Sequence, residues 1–146
     1  MLSAGALERQ IRQGIPIATG MAFRVEALSP GHIRVRGGGA ENVNVHGTAF
    51  AGSLYAVCTL ALWGLVRSRL PADATLVLAE AAIRYHRPVR GDILADCRIP
   101  AEPFDAFLAA LHADGRARLN GEVLVPSGEA LAASYQGSVH ARLAPP

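Results

Sequence analysis

Between Asn42 and Leu54 the chain reads Asn-Val-Asn-Val-His-Gly-Thr-Ala-Phe-Ala-Gly-Ser-Leu. Two amide side chains and an imidazole lead into a glycine, and no Asp, Glu, Lys or Arg then occurs through Val66. The pattern predicts a polar loop feeding an apolar helix over Thr48 to about Val66. The first turn of a helix leaves backbone N–H groups without intrahelical acceptors, and the aligned peptide dipoles make that end electropositive. Such an end can bind an anion or polarise a carbonyl oxygen. Gly47 and Thr48 would supply the amides nearest a reacting atom. His46 carries an imidazole, a ring that can pass a proton or donate a hydrogen bond. Asn42 and Asn44 can hold water or substrate. Each residue also has a plainer use: glycine at a junction, threonine as a cap, asparagine as a turn former and histidine as a loop tie.

Beyond the loop, Ser53 is placed to orient water or simply to pack closely. Tyr55 can donate a phenolic hydrogen bond or serve as a packed aromatic whose hydroxyl finds a partner. Cys58 has apolar neighbours and reads as buried filler, because a nucleophilic cysteine needs a nearby base and a depressed pKa. Glu80 is the nearest carboxylate available for acid–base work, or else a solvated strand charge. Arg84, Arg87 and Arg90 can grip phosphate, whose geometry matches the guanidinium fork, or form a surface cluster. The five histidines are scattered without metal-motif spacing, so no metal and no other cofactor is expected.

These residues need a scaffold, and the chain has the material for one. It has 146 residues, half of them apolar, which suits one domain with a real core. The net charge of +2 argues against a nucleic-acid surface, while fourteen basic residues leave room for an acidic small ligand. Cys58 and Cys97 form no C-x-x-C motif, and Met1 to Gln13 lacks the apolar run of a signal peptide. A cytoplasmic location with free thiols is expected. Gly47 to Val66 has the length of a membrane span, but its Gly, Ser, Thr and Tyr content and the surrounding strands favour a wrapped core helix.

Leu2 to Gln13 reads as a short helix stopped by Gly14 and Pro16. Met21 to Ala27 alternates as a strand, turns at Ser29-Pro30-Gly31 and returns through Ile33 and Val35. Thr75 to Arg87 is a long strand, with Val77, Ala79, Ala81, Ile83 and Tyr85 on one face and Glu80, Arg84 and His86 on the other. A turn at Pro88 to Asp92 leads to a strand over Ile93 to Ile99. Phe104, Phe107, Leu108 and Leu111 give a helical stripe closed by Asp114-Gly115. Arg116 to Val125 and Glu129 to Leu143 form a hairpin about Pro126-Ser127-Gly128. Strand pairs with tight turns and one very apolar helix predict a single α+β domain over 1–146, a curved antiparallel sheet around a long central helix.

This order resembles the hotdog fold. Asn42-x-Asn44, Gly47 to Leu54, Trp63-Gly64, Ile83 to Val89 and Gly91-Asp92 together resemble the thioesterases of the YiiD C-terminal-domain type. The resemblance implies hydrolysis of acyl-CoA or acyl-carrier thioesters by a homodimer or a dimer of dimers, with substrate at the subunit boundary. The related phenylacetyl-CoA type begins its helix with His-Gly-Gly, whose first glycine amide polarises the thioester carbonyl. His46-Gly47-Thr48 matches that start. Eight residues after Gly47, where that type carries Asp or Glu, stands Tyr55. A phenol near pKa 10 is a poor base at neutral pH, so His46 or an Asn-held water would supply the attack. Two other readings stay open: a non-catalytic acyl-thioester binding module, and a hydratase or dehydratase of the same fold.

Overall fold

Ser3 Oγ accepts from Ala6 N at 3.1 Å and caps α1 (Ala4–Gly14), which buries Leu7 and Ile11 on one face. The computed structural model describes residues Met1–Pro146. Pro16 does more than end α1. It occupies the first turn of a short helix, α2 (Pro16–Gly20), that the sequence pattern missed. Proline has no N–H to lose there and its φ is already helical. β1 (Arg24–Ser29) and β2 (His32–Gly37) follow as a hairpin. Next come α3 (Ala51–Arg67), β3 (Thr75–Tyr85), β4 (Ile93–Arg98), α4 (Ala101–Asp114), β5 (Arg116–Ser127) and β6 (Ala130–Arg142).

The strands form one antiparallel six-stranded sheet in the order β1-β2-β4-β5-β6-β3. β3 and β4 are therefore not a hairpin. Residues 86–92 cross between them, and β3 pairs with β6 at the far edge. The β5–β6 turn falls at Gly128-Glu129, two residues later than expected, because β5 continues past a bulge at Val125/Pro126. Gly128 has φ +60°, a left-handed value that favours glycine.

α3 lies against the concave face of the sheet. Leu54, Val57, Cys58, Leu60, Ala61, Leu62, Leu65 and Val66 are all buried. An apolar helix without a polar face suits this wrapped position. Gly121 and Gly137 pair directly across β5 and β6 and make a dent that takes both Leu62 methyls. A Cβ on Gly137 would lie 2.8 Å from Leu62 Cδ2. α1 packs on α3 where Gly64 leaves room, with Ile11 Cδ1 3.3 Å from where a Cβ would stand. At seventeen residues α3 is the longest helix, and no helix is long and apolar enough to cross a membrane.

A bulge between Leu78 and Glu80 corrects the face assignment along β3. Each bulge inserts one unpaired residue and reverses the alternation. Leu76 and Leu78 therefore share the inner face with Ala81 and Ile83, while Val77 stands 58 % exposed on the other side.

Candidate functional site

The stretch Asn42 to Phe50 is a miniature hairpin. Phe50 N donates to Asn42 O, Asn44 N donates to Thr48 O, and an isolated bridge joins Val43 to Ala49. Gly47, with φ +77°, closes the three-residue tip, the left-handed position such loops need. α3 consequently starts at Ala51, with Phe50 as its cap residue, and not at Thr48. Thr48 is on the returning limb of the hairpin.

Asn44 organises this loop. Its Oδ1 accepts from His46 N at 2.8 Å and Thr48 N at 3.1 Å, and its Nδ2 donates to Thr48 Oγ1 at 3.0 Å. Gly47 N donates to Asn44 O at 3.2 Å. The Gly47 and Thr48 amides are therefore engaged within the loop. Asn42 is buried and anchors the loop's base by donating Nδ2 to Met21 O at 2.9 Å and Gly38 O at 2.6 Å. His46 projects from the exposed tip beside Val45, which is 95 % exposed, and its ring has no hydrogen-bond partner.

The open donors lie at the helix start. Phe50 provides no side-chain cap, and the amides of Ala51, Gly52 and Ser53 have no acceptor in the chain. They form the electropositive first turn that the sequence assigned three residues earlier. Residue patterns point to this turn, but the hairpin before it displaces it along the chain. Tyr85, at the end of β3, donates its hydroxyl to Ala51 O at 2.8 Å and ties the sheet edge to the same turn. Sequence reasoning missed this role for Tyr85, although the residue belongs to the second matching motif.

Tyr55 is half-buried one turn along, edge-on to Tyr135 with ring centroids 5.5 Å apart. Tyr135 is fully buried, and its hydroxyl lies 2.8 Å from Thr59 Oγ1. Burial pushes the Tyr135 phenol up to about 12, against the pull of the Thr59 hydrogen bond. Burial also raises the Tyr85 phenol, with Cys58 and Tyr55 close enough to add to the effect. The chain's three tyrosines thus gather beside the first turns of α3. Ser53, in the first turn, is partly buried. Desolvation pushes the Cys58 thiol up to about 12, so a thiolate nucleophile is strongly disfavoured at neutral pH.

Glu80 is not brought to this place within the chain. Tyr135 and Gly137 face α3, so Ser138 faces outward, and Glu80 is paired directly with Ser138. Glu80 accepts from Arg118 Nη2 at 3.5 Å on the convex face, in a hollow of about 540 Å³ that also includes Asn120, Glu122 and Gln136. Glu80 lies on the face opposite Ala81 and Ile83, as alternation predicts, and the bulge adds Val77 to its face. Arg84 is outward on the same strand. Arg87 and Arg90 belong to the 86–92 crossover, which borders the hairpin because Ala49 N donates to Val89 O at 2.8 Å. All three arginines are exposed and unpaired. Asp92 fixes the crossover's far end by accepting from Gly39 N at 2.8 Å and from Arg36. These two bonds hold its carboxyl below the usual range.

Solved structures share this architecture. A "putative thioesterase" from Shewanella oneidensis is 29 % identical, with 97 % of each chain covered and a TM-score of 0.84. A Pseudomonas aeruginosa protein described as a "probable thioesterase" is 24 % identical over 97 % of this chain and 96 % of that one, again with a TM-score of 0.84. A Chlorobaculum tepidum protein of unknown function is 23 % identical over 97 % and 94 %, with a TM-score of 0.88. The fold is the hotdog arrangement of a curved antiparallel sheet around a central helix. The family model described as "Putative thioesterase (yiiD_Cterm)" matches residues 4–142, and the chain belongs to that family.

Proposed function

We propose that this protein hydrolyses acyl thioesters of coenzyme A or of an acyl-carrier protein, with the thioester carbonyl received at the start of α3. The observation that carries the reading is the uncapped first turn, where the Ala51, Gly52 and Ser53 amides lack acceptors. A carbonyl oxygen there gains donors aligned with the helix dipole, and the gain grows as negative charge develops on it. The family supports the thioester class. Gly47, Thr48 and Asn44 build and hold the hairpin that delivers the chain to this turn. His46, unpaired at the tip, is the base that activates water. Arg87 and Arg90 on the adjoining crossover, with Arg84 beyond them, meet the phosphates of the carrier arm. Ser53 and Tyr55 line the acyl side, and Asn42 keeps the loop's base in register. Glu80 stands on the convex face of the same chain, away from this turn.

The pure protein, presented with acyl-CoA esters of different length and a free-thiol reporter, should release thiol. Ala51→Pro is the sharper probe. Proline is tolerated at a first helical position, and Phe50 at φ −64° and ψ 133° already has the conformation that precedes proline. The change removes one donor and leaves the helix. Turnover should fall about 10²-fold if that amide contacts the oxyanion. Full retention would remove Ala51 from the donor set.

A binding module without catalysis is the second reading, and the tyrosine at position 55 favours it. Tight binding of acyl-CoA without any thiol release would establish it in place of the first.

A further inference from the structure

Phe50 gives its backbone to the hairpin and to the start of α3. The residue is 54 % exposed at the mouth of a helix that is buried along most of its length. The ring is folded onto the first turn of α3. A Cβ built on Gly52 would lie 2.5 Å from Phe50 Cε2 and 3.1 Å from Cζ. Only a residue without Cβ lets the ring rest there. Glycine weakens a helix relative to alanine, so position 52 gives up helix stability, and the feature gained is the ring's seat. That seat is beside the Ala51, Gly52 and Ser53 amides that have no acceptor. The other flank is closed by Tyr85, whose hydroxyl holds Ala51 O.

We infer that Phe50 is a specificity-determining residue: its ring, seated on Gly52, forms the apolar wall against which the acyl group lies while its carbonyl meets the helix start. The inference rests on the thioester reading above. An exposed aromatic edge next to polar donors rewards a substrate that is polar at the carbonyl and apolar just beyond it. Acetyl groups are too short to cover the ring, whereas acyl groups of several carbons cover it and remove both surfaces from water. The wall therefore sorts acyl groups by the apolar area they place on it. The Gly52 contact fixes where the ring stands.

The test compares octanoyl-CoA with acetyl-CoA, using kcat/KM for hydrolysis and, in parallel, the affinities of analogues in which a methylene replaces the thioester sulfur. The wild type should prefer the longer chain by both measures. Phe50→Ala should reduce that preference by about tenfold, chiefly through KM for the longer ester. Gly52→Ala keeps the phenylalanine but pushes its ring off the seat, and should reduce the preference in the same direction. Adding Gly52→Ala to Phe50→Ala should change the preference no further and should raise the melting temperature, because the alanine then meets no ring. If Phe50→Ala does not fold, Gly52→Ala and Phe50→Ser carry the comparison. An unchanged preference in the single variants, or additive losses in the double variant, would overturn the assignment. Absence of hydrolysis with chain-length-dependent analogue binding intact would sink the enzyme reading and leave Phe50's role standing. Absence of both would remove the two together.

Discussion

At the residue scale, the same side-chain chemistry serves binding and folding, and the surroundings decide between them. Asn42 and Asn44 were legible from sequence as either turn formers or ligand contacts, and their hydrogen bonds inside the chain show them shaping the hairpin. Cys58 was legible as filler because apolar neighbours deprive a thiolate of solvation. Burial pushes the Cys58 and Cys97 thiols from an ordinary 9.0 up to about 12, and the Tyr135 phenol from 10.0 up to about 12. The native state thus keeps protons that the unfolded chain releases. Their stabilising contribution is fully present below the unfolded values and is lost as pH rises toward the folded ones. Stability should fall steeply above the ordinary thiol value, each group contributing about 1.4 kcal/mol per pH unit within its own window. Urea midpoints measured at pH 8, 9 and 10 should show this decline, and Cys58→Ala with Cys97→Ala should flatten it. An equal decline in the cysteine-free protein would show that the thiols are not its source.

At the element scale, periodicity located the strands and helices but not the irregularities that aim them. The apolar run behind Phe50 announced α3, yet a hairpin and a helix start both use Gly, Asn and Thr, so the helix was expected three residues early. The β3 bulge was illegible because one inserted residue leaves composition unchanged while it turns Val77 to the convex face, beside Glu80. The seat of α3 on the sheet was equally hidden, since Gly121 and Gly137 become partners only once β5 and β6 pair. That seat makes a prediction. Gly121→Ala would drive a methyl into Leu62 Cδ1, and overpacking of this kind costs about 1–3 kcal/mol. Leu62→Ala alone should cost about 2–5 kcal/mol through the cavity it leaves. The double variant should be more stable than the sum of the two losses, because the new methyl enters space the leucine vacated. Chemical denaturation of the four proteins gives the coupling, and simple additivity would show that Leu62 does not fill the dent.

At the scale of the whole molecule, the two sheet edges are unequal. On β1, Glu8 from α1 accepts the Val25 amide, and a bulge lies between Val25 and Ala27. Covered and bent edges resist pairing with another chain. β3 spans eleven residues with β6 on one side only, and Val77 upon it is 58 % exposed. An edge of that length with no cover is the place for a second copy, and a two-fold pair of β3 strands would satisfy both edges at once. A second apolar surface lies at the site. Val43, Phe50 and Tyr85, each about half exposed, surround the start of α3, and apolar rims of this kind mark surfaces that a partner or ligand covers. We therefore expect sedimentation at micromolar concentration to give about twice the 15.3 kDa chain mass. Val77→Lys should place like charges along the paired edges and shift the protein toward monomer. The monomer should still fold, because Val77 lies outside the core. If substrate sits at the subunit boundary, thiol release should fall in proportion to the dimer lost and recover as protein concentration rises. A wild-type monomer, or a lysine variant that stays dimeric, would show that β3 is not the joining edge. Full turnover by a true monomer would place the whole site within one chain.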